Sequence, residues 1–128
     1  MKGLEGYSSV LAVSNLDTSL AFYVDKLGFE KVSSYGNPAY VAEIRRDKTE
    51  RISLLCMLNA TVANNSIATL AFRCLNIDDI YEEFLANGVT VDEKIEDKAY
   101  QMREFRIKDP DGYILYFQER IIEPKSTQ

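Results

Sequence analysis

The side chains that could do chemistry in this chain are carboxylates, hydroxyls and arginines, because the sequence contains no histidine. Side chains alternate between the two faces of a strand, so alternation assigns some of these groups to one shared face. The mixture of small, apolar, aromatic and charged groups there is typical of a pocket for a moderately apolar organic molecule. The residues predicted to line such a pocket are Ser8, Arg51, Ser53, Thr69, Met102, Glu104 and Tyr116.

Glu104 has the most distinctive chemistry in this set. A carboxylate that points inward could hold the cationic group of a ligand. It could instead pair with Arg51, Arg73 or Arg106, and this ion network is the preferred interpretation because buried charges are usually paired. Tyr116 has two equal interpretations: it contacts a ligand, or it packs to close an empty cavity.

Other side chains are predicted around the same opening. Alternation also places Met57 and Gln118 on the pocket face. Three tyrosines near predicted turns would rim the opening, namely Tyr35, Tyr40 and Tyr100.

These side chains must be positioned by two copies of one predicted unit. In the first copy, a strand at residues 8–13 precedes a helix that begins after Asn15 and ends at Gly28. A short polar side chain caps free N–H groups at a helix start, and glycine accepts the positive φ at a helix end. Three strands follow, at residues 29–35, 39–45 and 51–58.

The second copy repeats this order after a polar link at residues 59–65. A strand at 67–75 precedes a helix that begins after Asn76 and ends at Gly88. Further strands are predicted at residues 89–93, 101–108 and 113–119, the last of them after the turn 109–112, Asp-Pro-Asp-Gly. The match in order and spacing indicates a duplicated unit.

The repeat predicts an α+β fold in which two βαβββ modules form a curved mixed sheet with helices on its convex side. A length of 128 residues fits a single domain, 1–128, with modules at 5–58 and 66–120 and a tail at 121–128. The strand side chains best suited to pack against helices are Leu11, Val13, Ile52, Leu54, Leu70, Phe72, Phe105, Ile107, Leu115 and Phe117.

Composition excludes several kinds of partner. The net charge of −5 disfavours nucleic acid, whose phosphates an acidic surface repels. The apolar runs are too short to span a membrane, and the first residues lack the apolar stretch of a signal peptide, so a cytoplasmic location is expected. Cys56 and Cys74 lie in apolar runs at no metal-like spacing, and they are interpreted as buried thiols.

Several short motifs resemble those of the vicinal oxygen chelate superfamily, which includes glyoxalase I, extradiol dioxygenases, fosfomycin resistance enzymes and bleomycin resistance proteins. The resemblance covers nearly the whole chain, and its second half is closest to bleomycin resistance proteins. Asn15 stands where the family usually has Asp, and Tyr113 stands where it usually has Asn. The matching segments are 13–17 (VSNLD), 22–23 (FY), 27–29 (LGF), 103–105 (REF) and 109–112 (DPDG).

The resemblance implies a metal held by His and Glu side chains, but this chain departs from that pattern. The four family ligand positions fall on Ser8, Ser53, Thr69 and Tyr116. Neutral hydroxyl oxygens bind first-row metals weakly, so no metal and no other cofactor is expected. The resemblance also implies a homodimer whose subunits share ligand clefts.

Four functions stay open on these grounds. The preferred one is a metal-free protein that binds and sequesters a cationic or aromatic drug-like compound, as in bleomycin-type antibiotic resistance. The main alternative is a metal-dependent lyase, isomerase or dioxygenase with non-standard ligands. The others are a metal-free enzyme that uses Glu104 or Tyr116 as acid or base, and a dimeric interaction module with an empty pocket.

Overall fold

A computed structural model of the chain describes residues 3–56 and 69–121. Met57, the strand ends predicted at 57–58 and 67–68, the link 59–65 and most of the tail lie outside these residues. The elements follow the order βαβββ twice, so the predicted α+β fold and its internal repeat are confirmed. They are β1 (Ser9–Ala12), α1 (Leu16–Leu20), β2 (Glu30–Gly36), β3 (Ala39–Arg45), β4 (Ile52–Leu55), β5 (Thr69–Arg73), α2 (Ile77–Ala86), β6 (Val91–Lys98), β7 (Met102–Lys108) and β8 (Ile114–Arg120).

The chain forms two compact units, each with a four-stranded mixed sheet. Unit 1 has the strand order β1-β4-β3-β2 and includes the turn Asp109–Gly112, whereas unit 2 has the order β5-β8-β7-β6. In each unit the first strand pairs in parallel with the last, and the remaining pairs are antiparallel. Among the described residues, no helix is long and apolar enough to cross a membrane.

The face of each sheet predicted to pack against a helix is the buried one. In unit 1, the predicted side chains of β1 and β4 are buried together with Tyr23 and Leu27. In unit 2, Phe84 of α2 packs against Phe105 and Phe117, with ring centroids 5.9 Å and 5.1 Å away. Eight of the ten predicted core side chains are buried, and the remaining two, Leu70 and Phe72 of β5, are half-buried. Alternation along the strands therefore identified the core correctly.

The first helix has the predicted extent but a different internal geometry. Asn15 caps it as predicted, since its Oδ1 accepts from the Thr18 amide at 2.9 Å. After Leu16–Leu20 the helix widens into a π-helix, Ala21–Lys26, where the Leu27 amide donates to the Phe22 carbonyl. The periodicity of apolar residues cannot distinguish these two helical forms over a single turn.

The prediction that Asn76 caps the second helix is wrong. Asn76 has φ 56° and ψ 53°, in the left-handed region, and its side chain makes no capping bond. An N-cap side chain needs the extended backbone that Asn15 has. Glu119 of β8 replaces it: Oε1 accepts from the Ile77 amide at 3.0 Å and Oε2 from the Asn76 amide at 3.2 Å.

Candidate functional site

The predicted pocket residues divide between the two units. Ser8, Arg51 and Ser53 belong to unit 1, whereas Thr69, Met102, Glu104 and Tyr116 belong to unit 2. The face of each sheet opposite its helix is therefore described separately.

On the open face of unit 1, the carboxylate of Glu43 is already partnered. Ser53 lies in register with Val10 on β1 and with Glu43 on β3. Glu43 Oε1 accepts from Ser33 Oγ at 2.9 Å and lies 3.4 Å from Arg51 Nη1. Ion pairs as exposed as this one contribute little stability. Ser8 is exposed and precedes β1, so it lies outside the predicted strand.

The open face of unit 2 brings four polar side chains into two adjacent rows. Across β7 and β8, Glu104 is paired with Gln118, and Arg106 is paired with Tyr116. Alternation places all four on one face, because Phe105 between them is in the core. This set of two cross-strand pairs is the candidate site.

Glu104 is the buried group of this site, with 3% of its surface exposed. Its Oε1 accepts two hydrogen bonds, one from Tyr100 Oη at 2.7 Å and one from Gln118 Nε2 at 2.7 Å. Both donors are neutral. Among the described residues of unit 2, 69–108 and 113–121, no arginine or lysine forms an ion pair with this carboxylate.

The predicted ion pairs of Glu104 with Arg73 and Arg106 are therefore wrong for the described residues, whereas Arg51 belongs to unit 1. Arg106 is held instead by two acids of β6: its Nη2 lies 2.8 Å from Glu93 Oε2, and its Nε lies 3.1 Å from Asp92 Oδ2. The pairing of β7 with β6 draws the Arg106 guanidinium towards these two acids and away from Glu104.

Tyr116 is oriented by the same arginine. Arg106 Nη1 donates to Tyr116 Oη at 3.3 Å, and the guanidinium carbon lies 5.8 Å from the centre of the ring. The hydrogen bond with Tyr116, followed by the carboxylates of Glu93 and Asp92, raises the pKa of Arg106. Arg106 thus stays cationic and holds the ring of Tyr116 in place.

The acids of β6 differ from Glu104 in having cationic partners. Lys98 Nζ contacts Glu93 and lies 2.6 Å from Glu96 Oε1. These bonds raise the pKa of Lys98, and the hydrogen bond from Lys98 lowers the pKa of Glu93. Arg103 likewise reaches Asp97 at 3.0 Å and Asp78 of helix α2 at 2.9 Å.

The remaining predicted residues lie at the margins of this site. Thr69 is exposed at the start of β5, in register with Ile114. Met102 is half-buried at the start of β7, in register with Lys98. The pocket set omitted Tyr100 and Gln118, the two donors to Glu104. Alternation did place Gln118 on this face. Tyr100 was predicted only at the rim of the opening, because its reach to Glu104 depends on the turn between β6 and β7.

The donor set does not fit the metal that the fold family implies. Ser8 and Thr69 offer exposed neutral hydroxyls, and Tyr116 Oη already accepts from the cationic Arg106, which would repel a metal ion. In the described part of the chain, no three Cys, Asp or Glu side chains lie where they could share a metal ion. No chemical step through a metal is derived for this site.

The two cysteine thiols have limited access to solvent. Cys74 is buried and Cys56 is half-buried, with its Sγ 3.7 Å from the Ser14 carbonyl oxygen. Neither cysteine forms a disulfide. Tyr35 and Tyr40 contact each other edge to face, with centroids 5.8 Å apart, on the hairpin of β2 and β3 in unit 1.

Several solved structures share this fold. The bleomycin-binding protein from bleomycin-producing Streptomyces verticillus, complexed with copper(II)-bleomycin, is 25% identical to the chain, with a TM-score of 0.71 over 96% of this chain and 100% of that one. A glyoxalase/bleomycin resistance protein/dioxygenase from Nocardioides is 18% identical, with a TM-score of 0.76 over 100% and 91% of the two chains. TioX from Micromonospora sp. ML1 is 14% identical, with a TM-score of 0.74 over 91% and 100%.

The last two similarities show the fold alone. No curated protein matches the chain. The sequence itself matches the model of the Glyoxalase/Bleomycin resistance protein/Dioxygenase superfamily over residues 8–117. This match spans both βαβββ modules, and the chain therefore belongs to the glyoxalase/bleomycin resistance protein/dioxygenase superfamily.

Proposed function

We propose that this protein binds and sequesters a small organic ligand that carries a cationic group, and that it does so without a metal. Glu104 holds the cation, and the aromatic face of Tyr116 lies beside it. The observation that carries this proposal is the state of Glu104, a buried carboxylate whose two hydrogen-bond donors are both neutral.

The energetic argument starts from the cost of burying a carboxylate. An ionised group withdrawn from water is normally paired with an opposite charge, and neutral hydrogen bonds compensate it only in part. Tyr100 and Gln118 both donate to Oε1 of Glu104, and no described donor reaches Oε2. A ligand ammonium group at Oε2 would supply the missing charge through a bond stronger than a neutral one.

The surroundings favour a cation at this position over other positions on the same face. Lys98 and Arg106 already neutralise the β6 acids Glu93 and Glu96. Glu104 is thus the acid of this face whose charge is available to a ligand. Met102 nearby adds polarisable apolar surface, which suits the aromatic part of a drug-like compound.

Similarity to a solved binding protein supports the class of ligand. The Streptomyces verticillus structure is that of a bleomycin-binding protein. Binding of a small organic molecule is a function that this fold can perform without catalysis. By extension, we propose an antibiotic-resistance role for the present chain through sequestration of its ligand.

We also propose that the protein works in the cytoplasm as a homodimer, and that modules 5–58 and 66–120 fold as one domain. Light scattering of the purified protein would give a dimer mass. A single cooperative unfolding transition, unchanged between two spectroscopic probes, would be expected of one domain. A monomer mass would contradict the homodimer, and two separate transitions would contradict the single domain.

The ligand proposal is tested by thermal shift with a panel of aromatic amines and their neutral alcohol counterparts. Ligand present at about 100 times its Kd stabilises the folded state by about 2.7 kcal/mol, which raises the Tm by several degrees. We expect amines to raise the Tm and alcohols of the same shape to do so much less. Equal shifts from both members of each pair would contradict the proposal.

The matched variants are Glu104→Gln and Glu96→Gln. Glutamine at position 104 keeps an oxygen that accepts from Tyr100 and Gln118 but carries no charge, so the response to amines should disappear. Glu96 lies on the adjacent strand and is paired with Lys98, so its substitution should leave that response unchanged. Retention of the amine response in Glu104→Gln would assign ligand binding to another part of the molecule.

A further inference from the structure

We propose that the Glu104 site selects among cations by the geometry of their donors: it accepts an ammonium group through one carboxylate oxygen and disfavours a guanidinium group. This inference rests on the proposed function and deepens it, because it names the class of cation that the same site takes. The reason is the unequal use of the two carboxylate oxygens of Glu104.

The two oxygens of Glu104 differ in how many donors they hold. Oε1 accepts from Tyr100 Oη and from Gln118 Nε2, each at 2.7 Å. A carboxylate oxygen has about two lone-pair positions, so both positions of Oε1 are in use. Among the described residues of unit 2, 69–108 and 113–121, no donor reaches Oε2. One oxygen is therefore saturated, and the other has room for a ligand.

Oε2 keeps some contact with solvent although Glu104 is buried. Glu104 has 3% of its surface exposed. Among the described side chains, the oxygens that are both fully buried and without a partner are Ser19 Oγ and Asp111 Oδ2, and Oε2 of Glu104 is not one of them. The small exposed fraction of Glu104 therefore includes Oε2, which a compact donor can reach.

The two donors to Oε1 are held in their roles. Gln118 lies in register with Arg73 of β5 on one side and with Glu104 of β7 on the other. Its Nε2 must face Glu104, because its side-chain oxygen cannot donate. Burial and the hydrogen bond to Glu104 raise the pKa of Tyr100, so its hydroxyl stays protonated. A half-turn of the carboxylate only exchanges its two oxygens, and the position with two donors stays saturated.

Ammonium and guanidinium groups use a carboxylate differently. An ammonium group is a compact point charge with three N–H donors, and one of them is enough to bind Oε2. A guanidinium group is a rigid planar fork whose two parallel N–H groups match the two oxygens of one carboxylate. At Glu104 the second N–H group would meet Oε1, where both positions are taken by Tyr100 and Gln118. A guanidinium group thus loses one of its two bonds, whereas an ammonium group loses none.

Substitution of Tyr100 by Phe separates this effect from the general strength of the site. The ring stays, and one lone-pair position of Oε1 becomes free. An ammonium group bound at Oε2 makes the same bond in both proteins, but a guanidinium group gains its second bond only in the variant. A change in the access to Glu104 affects both cations and cancels in the ratio of their dissociation constants, so this ratio measures the second bond.

The test uses benzylamine and benzylguanidine, which are both cations at pH 7 and share one aromatic ring. NMR titrations that follow the Gln118 side-chain amide give the two dissociation constants. They are measured for the unmodified protein, for Tyr100→Phe and for the control Tyr7→Phe, which alters a tyrosine of unit 1 that is 75% exposed.

We expect benzylamine to bind the unmodified protein more tightly than benzylguanidine does. In Tyr100→Phe this preference should fall about tenfold, the equivalent of about 1.4 kcal/mol for one charge-assisted hydrogen bond. Tyr7→Phe should keep the preference of the unmodified protein.

The other outcomes separate this inference from the proposed function. If benzylamine binds the unmodified protein but benzylguanidine binds as tightly, the proposed function stands and the selection by donor geometry is wrong. An unchanged preference in Tyr100→Phe, or an equal change in Tyr7→Phe, would also overturn it. If neither cation binds the unmodified protein, the proposed function fails and this inference fails with it.

A crystal structure of the ligand-free protein checks the geometry without a probe. We expect both protein donors on one oxygen of Glu104 and only water on the other. One protein donor on each oxygen would leave the two oxygens equally open to a guanidinium fork, and this result would overturn the inference. Far-ultraviolet circular dichroism of Tyr100→Phe verifies that the variant keeps the fold of the unmodified protein.

Discussion

Substitution of Glu119 by Gln should destabilise the protein far more than its position near a strand end suggests. Glu119 accepts from the first two free amides at the start of helix α2, at 3.0 Å and 3.2 Å. Gln retains one acceptor oxygen, so one amide loses its partner and the helix N-terminus loses a negative charge. A hydrogen bond to a charged group at a partly exposed site contributes about 1.5 kcal/mol, and the charge near the helix dipole adds about 0.5 kcal/mol. The expected loss is about 2 kcal/mol.

The assay is urea denaturation followed by far-ultraviolet circular dichroism, with two asparagine variants as controls. Asn15→Ala removes the side-chain cap of helix α1 and should cost about 1 kcal/mol. Asn76→Gly should cost almost nothing, because Asn76 makes no capping bond and glycine readily adopts a left-handed backbone. A loss below about 0.5 kcal/mol for Glu119→Gln, or a loss for Asn76→Gly as large as for Asn15→Ala, would refute Glu119 as the cap.

Two further substitutions test contacts on which the units depend. Tyr23→Phe should lower the free energy of unfolding by about 1–2 kcal/mol in the same assay, because it removes a buried hydrogen bond of 2.7 Å to Asp109 Oδ2; an unchanged urea midpoint would contradict this. The hydrogen bond from Arg103 lowers the pKa of Asp78 in the folded state. That contribution is present above the unfolded-state pKa and is lost as the pH falls through the lower folded-state value. Asp78→Asn should therefore lose less stability than the unmodified protein between pH 5 and about pH 2, and parallel pH profiles of the urea midpoint would count against the pairing.

The order of elements could be predicted from the sequence because it depends on local patterns. Alternation of apolar and polar residues, as in 39–45, reports directly on strand conformation. A glycine after each helix, Gly28 and Gly88, reports on the backbone at the helix end. The π-helix Ala21–Lys26 could not be predicted, because one wider turn leaves the apolar spacing almost unchanged. Local pattern therefore predicted where the elements lie but not their finer geometry.

The candidate site was only partly predictable because its contacts are between distant residues. Alternation correctly placed Glu104 on the open face, yet its partners depend on strand register and on the turn at Tyr100. The expected arginine partner failed because Arg106 has two acids opposite it on β6, a competition that only the pairing of the strands reveals. The Glu119 cap could not be predicted for the same reason, because Glu119 lies 42 positions after Ile77, whose amide it accepts from.

The turn Asp109–Gly112 has a consequence for how the protein is made. It belongs to unit 1, where Asp109 accepts from Tyr23 and Asp111 Oδ1 accepts from the Ser14 amide at 3.1 Å. Unit 1 therefore stays incomplete during translation until residue 112 has left the ribosome, long after its own strands have emerged. A ribosome that stalls between the two modules would release a first half without these acceptors, which makes that half a ready substrate for quality-control proteases.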